Sequence, residues 1–126
     1  MEINQYSQEQ IEYFVNGYVA AALFVGNDEY SDPLDANFSG GDINCDDFEE
    51  IKSDCISFMD QARHLMDSGD LEQMGTDFFF VRHGHGAGFS DREWISKEDC
   101  EKLTNLANKF KETYWFVMSN GEIGVE

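Results

Sequence analysis

Basic residues are scarce in this chain of 126 amino acids: eight lysines and arginines stand against 26 aspartates and glutamates, for a formal net charge of −18. The imbalance is also uneven. Residues 1–70 hold 16 acids and two bases, a net of −14, whereas residues 71–126 hold ten acids and six bases, a net of −4. The electrostatic field of this negative charge repels nucleic acids and anionic membranes and attracts basic surfaces. The composition therefore favours a partner with a basic surface over direct binding to nucleic acid or membrane.

Long apolar runs and paired cysteine motifs are also missing. No apolar stretch approaches the ~20 residues of a membrane span, and residues 1–10 are polar and lack basic residues, which argues against a secretory signal. The three cysteines, Cys45, Cys55 and Cys100, have no CxxC spacing, so we expect reduced thiols in a cytoplasmic protein. The chain is 41% hydrophobic and 14% aromatic, which predicts one folded domain over residues 1–126.

Helical periodicity is clear in three places. A capping-box pattern, Ser7 with Gln10, precedes an apolar stripe that predicts a helix over residues 7–25. A second stripe predicts a helix over residues 46–66. A third predicts one over residues 96–111, with Ser96 and Asp99 as another capping box.

Two hairpins are predicted to complete the fold. Residues 77–92, DFFFVRHGHGAGFSDR, combine an aromatic run of strand formers with glycines at alternate positions, and Gly75 precedes them as a breaker. Near the end of the chain, Asn120-Gly121 separates two further strand-like segments, which is a strong hairpin signal. The expected class is α+β: two N-terminal helices, then hairpin, helix and hairpin, forming a small antiparallel sheet with helices packed on one face.

The first of these hairpins also resembles a known motif. Small acidic proteins of tailed bacteriophages, mostly of unknown function, carry a segment that runs roughly DFWLTRNGHGAGFWDR. The residues that match it are Asp77, Phe78, Arg82, Gly84, His85, Gly86, Ala87, Gly88, Phe89, Asp91 and Arg92. Phe79 stands in place of the first Trp, His83 in place of Asn and Ser90 in place of the second Trp. The resemblance implies a phage origin, and with it a location in the cytoplasm of the bacterial host, but little about chemistry.

Acidic side chains make the first candidate site. Residues 27–44 are predicted to form a long acidic loop, and such loops are usually functional or mobile. On the second predicted helix, Asp46, Glu50 and Asp54 stand four apart in a row along one face, about 6 Å from one to the next. The row is either a solvated face or a set of phosphate surrogates. The candidate partner-binding residues are Asp28, Glu29, Asp32, Asp35, Asp42, Asp46, Asp47, Glu50 and Asp54.

The glycine-rich turn makes the second candidate site. Arg82, His83 and His85 would be presented beside a bare backbone, and the two histidines could share a face and bind a metal. The alternative is a turn with a purely structural role, in which the arginines offset nearby acids. No Walker or dinucleotide spacing and no nucleophilic triad is recognisable. Asp42, Asn44 and Asp46 fit the start of an EF-hand loop, but Asp47 and Ser53 stand where glycine and glutamate are required, so no cofactor or metal is expected.

Each of these two candidate sites predicts one class of function, and a third class applies if neither site is functional. The first is a phage accessory protein that inhibits a host nucleic-acid-binding defence protein, of restriction or CRISPR type, through a DNA-mimicking negative surface. It would be no enzyme. The second is a small enzyme or ligand-binding module centred on the turn at His85. The third is a regulatory phage protein whose acids serve solubility without mimicry.

Overall fold

A computed structural model describes residues 6–26, 32–65, 70–84, 88–89 and 92–126. Within this part of the chain there are four α-helices and one two-stranded sheet, so the fold is α+β and mainly helical. Three short 3₁₀ turns, Leu34–Ala36, Gly40–Asp42 and Arg63–Leu65, lie between the helices. The helices are α1 (Gln8–Val25), α2 (Cys45–Gln61), α3 (Leu71–Arg82) and α4 (Lys97–Ala107), and the strands are β1 (Trp115–Val117) and β2 (Ile123–Val125).

The first helix forms as its sequence predicts. The Ser7 hydroxyl accepts a hydrogen bond from the Gln10 backbone N–H, and the Gln10 side chain accepts one from the Ser7 N–H. This capping box satisfies two of the orphan donors at the helix N-terminus. The helix α1 ends at Val25, and Gly26 follows it in an extended conformation.

The prediction of a hairpin over residues 77–92 is wrong, because its first half is the end of helix α3. Asp70 caps this helix by accepting a hydrogen bond from the Gln73 N–H. Residues 78–81, a run of strand formers, are helical because the helix buries the adjacent side chains of Phe78 and Phe79 together in the core. Burial of large side chains outweighs intrinsic strand preference, which is weak and depends on context. The expected four-stranded sheet is therefore absent from the described residues.

Two glycines allow α3 to lie directly against α1. A Cβ atom at Gly75 would lie 1.9 Å from the Phe14 carbonyl oxygen, and one at Gly17 would lie 1.9 Å from the Glu72 carbonyl oxygen. The Thr76 hydroxyl also donates a hydrogen bond to the Gly17 carbonyl, at 3.0 Å. Gly75 is thus no breaker: it is a contact residue inside a helix, because no side chain fits between the two backbones.

The second hairpin forms as predicted. Trp115 pairs with Val125, Phe116 with Gly124 and Val117 with Ile123 in an antiparallel register. Gly121 has a φ of 88°, which favours glycine and closes the turn. The outer edge of β2 is also occupied, since Asn44 donates its backbone N–H to the Ile123 carbonyl at 2.8 Å.

One aromatic cluster joins the helices. Phe58 of α2 stacks on Phe78 of α3 with ring centroids 4.2 Å apart. Phe14 of α1 and Phe110, which follows α4, lie 6.0 and 5.2 Å from Phe78. Trp115 and Ile123 of the hairpin are buried in the same core. The third helix along the chain is thus at the centre of the packing.

Candidate functional site: the motif network and the acidic surface

Arg82 is a buried residue that ties several elements together. Its guanidinium Nη1 lies 3.0 Å from the Asp54 carboxylate of α2 and 3.1 Å from the Tyr18 hydroxyl of α1. Its Nε donates a 2.7 Å hydrogen bond to the Lys111 carbonyl. The guanidinium also lies 5.5 Å from the ring centroid of Phe110, within cation–π range. Only an arginine presents donors to three partners in this planar arrangement.

A second ion pair joins α3 to Arg92, which precedes α4. Asp77, 1% exposed, lies 3.1 Å from Arg92 Nε, and its other carboxylate oxygen accepts a hydrogen bond from Gln73 at 3.1 Å. Gly88 has a φ of 146°, and a Cβ atom there would lie 2.5 Å from a methyl of Val81. The chain after α3 therefore folds back closely over its last turn.

His83 is held by the backbone on both sides of its ring. Its Nδ1 lies 2.9 Å from the Phe79 carbonyl, and its Nε2 accepts the backbone N–H of Thr113 at 3.0 Å. The ring needs its proton on Nδ1 for both contacts, because Nε2 is an acceptor. The Thr113 hydroxyl in turn accepts a hydrogen bond from the Trp115 indole at 3.1 Å. His83 thus fastens the segment before β1 to the end of α3.

These contacts make the described part of the motif a structural element. The expectation that the arginines offset nearby acids is confirmed: Arg82 pairs with Asp54 and Arg92 with Asp77. Arg82 and His83 are not presented to solvent as a binding turn, because their polar atoms have partners inside the protein. His85 lies outside the described residues, so its predicted share in a metal or ligand site remains a prediction.

The thiols are unsuited to nucleophilic chemistry at two of three positions. Burial raises the pKa of the Cys55 thiol, with the Arg82 guanidinium opposing part of that shift. Burial also raises the pKa of Cys100, and the carboxylates of Asp99 and Asp77 add to the effect. A thiol held neutral is a poor nucleophile. Cys45 is exposed, at the first residue of α2. No cluster of three or more metal-binding side chains occurs in the described ranges.

The predicted acidic residues fall into two groups. Asp42, Asp47 and Asp54 serve the fold: Asp42 accepts the Ser39 N–H at 2.8 Å, Asp47 accepts the Val125 N–H at 3.0 Å, and Asp54 pairs with Arg82. Those that face solvent are Asp32, Asp35, Asp46 and Glu50. Asp28 and Glu29 lie outside the described residues.

The predicted row of exposed acids on α2, Asp46, Glu50 and Asp54, contains only two unneutralised members. Asp46 and Glu50 are exposed, and neither forms an ion pair within the described part of the chain, whereas Asp54 is neutralised by Arg82. The exposed Glu49 of α2 and Glu12 of α1 extend the negative surface sideways. The N-cap of α2 is Asn44, whose side chain accepts the Asp46 and Asp47 N–H groups.

The loop between α1 and α2 is anchored in its described part. Leu34 is completely buried, and its backbone N–H donates to the Gly26 carbonyl at 2.8 Å. Asp32 and Asp35, on either side of Leu34, are exposed. One buried leucine therefore holds two acids at the surface beside the end of α1.

Comparison with known proteins yields no assignment: no family model, curated protein or solved structure matches the chain. Among the described residues, none of the helices combines the length and the apolar character needed to cross a bilayer.

Proposed function

We propose that this protein is a phage-encoded accessory protein that acts in the cytoplasm of the bacterial host. It binds a basic, nucleic-acid-binding surface of a host defence protein and blocks that surface as a DNA mimic. The proposal rests on one observation, the excess of exposed acid in the first 70 residues. Their only bases, Lys52 and Arg63, are half-buried. Among the described residues of that range, the exposed acids are Glu9, Glu12, Asp32, Asp35, Asp46, Glu49, Glu50, Asp60 and Asp70.

The spacing of these acids limits what a single helix could imitate. Duplex DNA carries one charge per ~3.4 Å of axis on each strand, whereas acids four residues apart on a helix are about 6 Å apart. Asp46 and Glu50 alone are too sparse. A DNA-like density requires acids from α1 and from the loop before α2 as well, so the proposed surface spans several elements. Its charge predicts fast association that weakens steeply with salt.

The experiment that tests this function is capture of host proteins by the immobilised chain at low salt, followed by elution in a salt gradient. We expect a nucleic-acid-binding protein to elute at moderate salt. The purified target should then lose its DNA when the acidic protein is added, in a fluorescence anisotropy assay. A target that binds DNA and the acidic protein simultaneously would refute mimicry.

A charge-reversed pair provides the control for specificity. Asp46→Lys with Glu50→Lys changes the net charge by +4 on α2, and we expect binding to the target to weaken at least about tenfold. Glu93→Lys with Glu101→Lys makes the same change at exposed positions in and before α4. If both pairs weaken binding equally, net charge alone governs association and no particular surface is recognised.

A further inference from the structure

A groove runs between α1 and α2 on the acidic side of the molecule. One part, about 270 Å³, lies between Ile11 and Val15 of α1 and Phe48 of α2. The other, about 480 Å³, lies between Val19 of α1 and the segment that carries Ile43 and Cys45. Both parts are lined by Asn16 and Phe48, so they adjoin. We call this feature the α1–α2 groove.

The floor of the groove is apolar and incompletely covered. Val15, Val19 and Ile43 are buried, but Ile11 and Phe48 are only half-buried, although both pack against the core. One wall is made by Gly40 and Gly41, which leave it without side chains. An aromatic ring left half-exposed beside a hollow can gain contact area when an apolar side chain enters it.

The rim of the groove is charged, and acids dominate it. Glu12 borders one part and Glu49 the other, and both are exposed. Among the described residues that line the groove, the one base is Lys52, which is half-buried at the end beside Glu12. A second copy of the chain is disfavoured as an occupant, because each copy carries a net charge of −18. The complementary occupant is apolar on one side and basic on its flanks.

From this combination we infer that the α1–α2 groove is the docking site for a basic amphipathic segment of the partner protein. An aliphatic or aromatic side chain of the segment packs on Ile11 and Phe48, and its lysines or arginines pair with Glu12 and Glu49. This is the helix-in-groove mode of recognition, with charge on the rim. The inference rests on the proposed function for the basic nature of the partner, and it adds an apolar anchor that mimicry of DNA does not require.

The test uses the full chain and a fluorescent synthetic peptide of about five helical turns, with leucine on one face and lysine on the other. A second peptide keeps the lysines and replaces every leucine with serine. We expect the leucine peptide to bind at least roughly tenfold more tightly in fluorescence anisotropy. It should also retain more of its affinity when salt is added, because apolar contacts are not screened.

Asn16 offers a matched pair of variants, since it is exposed and lines both parts of the groove. Asn16→Trp fills the groove and should weaken binding of the leucine peptide about tenfold, while Asn16→Ala leaves the groove open and should not weaken it. Circular dichroism verifies that both variants fold.

Cys45 provides a readout that needs no substitution. It lines the groove and is exposed, whereas Cys55 and Cys100 are buried. Bound leucine peptide should therefore slow its alkylation by iodoacetamide, and the serine peptide should not. The docking role of the groove would be refuted if both peptides bound equally well, Asn16→Trp had no effect and Cys45 was not protected. That result would leave the proposal of electrostatic mimicry intact. If instead the leucine peptide binds the groove, but the captured target keeps its DNA when the acidic protein is added, DNA mimicry is refuted and the docking site is supported.

Discussion

The charges around α3 and those on the outer face of α2 differ in burial and in what they bind. Asp77 and Arg82 are 1% and 8% exposed, and each has an oppositely charged partner. Asp46 and Glu50 face solvent with no ion pair in the described part of the chain. A buried charge stabilises the fold only while its partner is present, because an unpaired charge in a low-dielectric interior is strongly disfavoured. An exposed acid beside another acid adds only weak repulsion. The first group is therefore required by the fold, and the second is free to serve a partner.

The largest expected effect is that of Arg82→Met. It removes the partner of Asp54, Tyr18 and the Lys111 carbonyl at once, and we expect the free energy of unfolding to fall by about 3 kcal/mol. Asp54→Asn should cost less, about 1–2 kcal/mol: it deprives the buried Arg82 charge of its carboxylate, but asparagine keeps an oxygen acceptor and water reaches this 39% exposed position. Urea unfolding followed by circular dichroism measures both. If both variants lost the same free energy of unfolding, the stabilisation would come from the ion pair with Asp54 and not from the other contacts of the buried arginine.

The contact between α1 and α3 is the next test, through Gly75→Ala. Alanine favours an isolated helix by about 1 kcal/mol over glycine, yet here its Cβ would collide with the Phe14 carbonyl oxygen. Overpacking of this kind costs about 2–3 kcal/mol. Asn16→Ala, an exposed position on α1, is the control and should change stability by less than about 0.5 kcal/mol. A stabilised Gly75→Ala protein would show that the two backbones are not in contact.

The buried thiols predict a loss of stability at alkaline pH. The pKa of Cys55 is raised in the folded protein, so unfolding releases a thiol that ionises near pH ~8.5. The contribution of the neutral Cys55 thiol to the free energy of unfolding is complete below that pH. It decreases as the pH rises, and is lower by about 1.4 kcal/mol at pH ~9.5. Cys55→Ala should flatten the pH dependence of stability measured by urea unfolding, and Cys45→Ser, at an exposed position, is the matched thiol-removal control. An unchanged slope in Cys55→Ala would assign the pH dependence to other groups.

The smallest expected effect on stability is that of the exposed acids. Asp46→Lys with Glu50→Lys relieves repulsion along α2 but also places a cation in its first turn, against the helix dipole. These two effects oppose each other, so the free energy of unfolding should change by at most about 0.5 kcal/mol. The difference from wild type should shrink as salt is added, because exposed charges are screened. A loss above about 1 kcal/mol would show that these acids, like Asp77, belong to the internal framework.

Local signals predict α1 and the C-terminal hairpin because each is specified by neighbouring residues. The Ser7 capping box and the Asn120-Gly121 turn act within a few positions along the chain. Local signals do not predict α3. Three consecutive phenylalanines suggest a strand, and the helix forms because its residues contact α1, α2 and the segment after α4. A glycine inside the α1 pattern, Gly17, is the one local hint of a close helix contact, but it does not identify the partner.

The sequence by itself determined the negative charge, the helical face that exposes Asp46 and Glu50, and the α+β class, because these depend on composition and short-range periodicity. Tertiary structure alone decided that Asp54 pairs with Arg82, that Asp77 is buried against Arg92, and that α1 and α2 leave an apolar groove between them. Those features join residues far apart in the chain. They require α1, α2 and α3 to meet around the aromatic core, with Gly17 and Gly75 at the close contact between α1 and α3, and no local pattern specifies that arrangement.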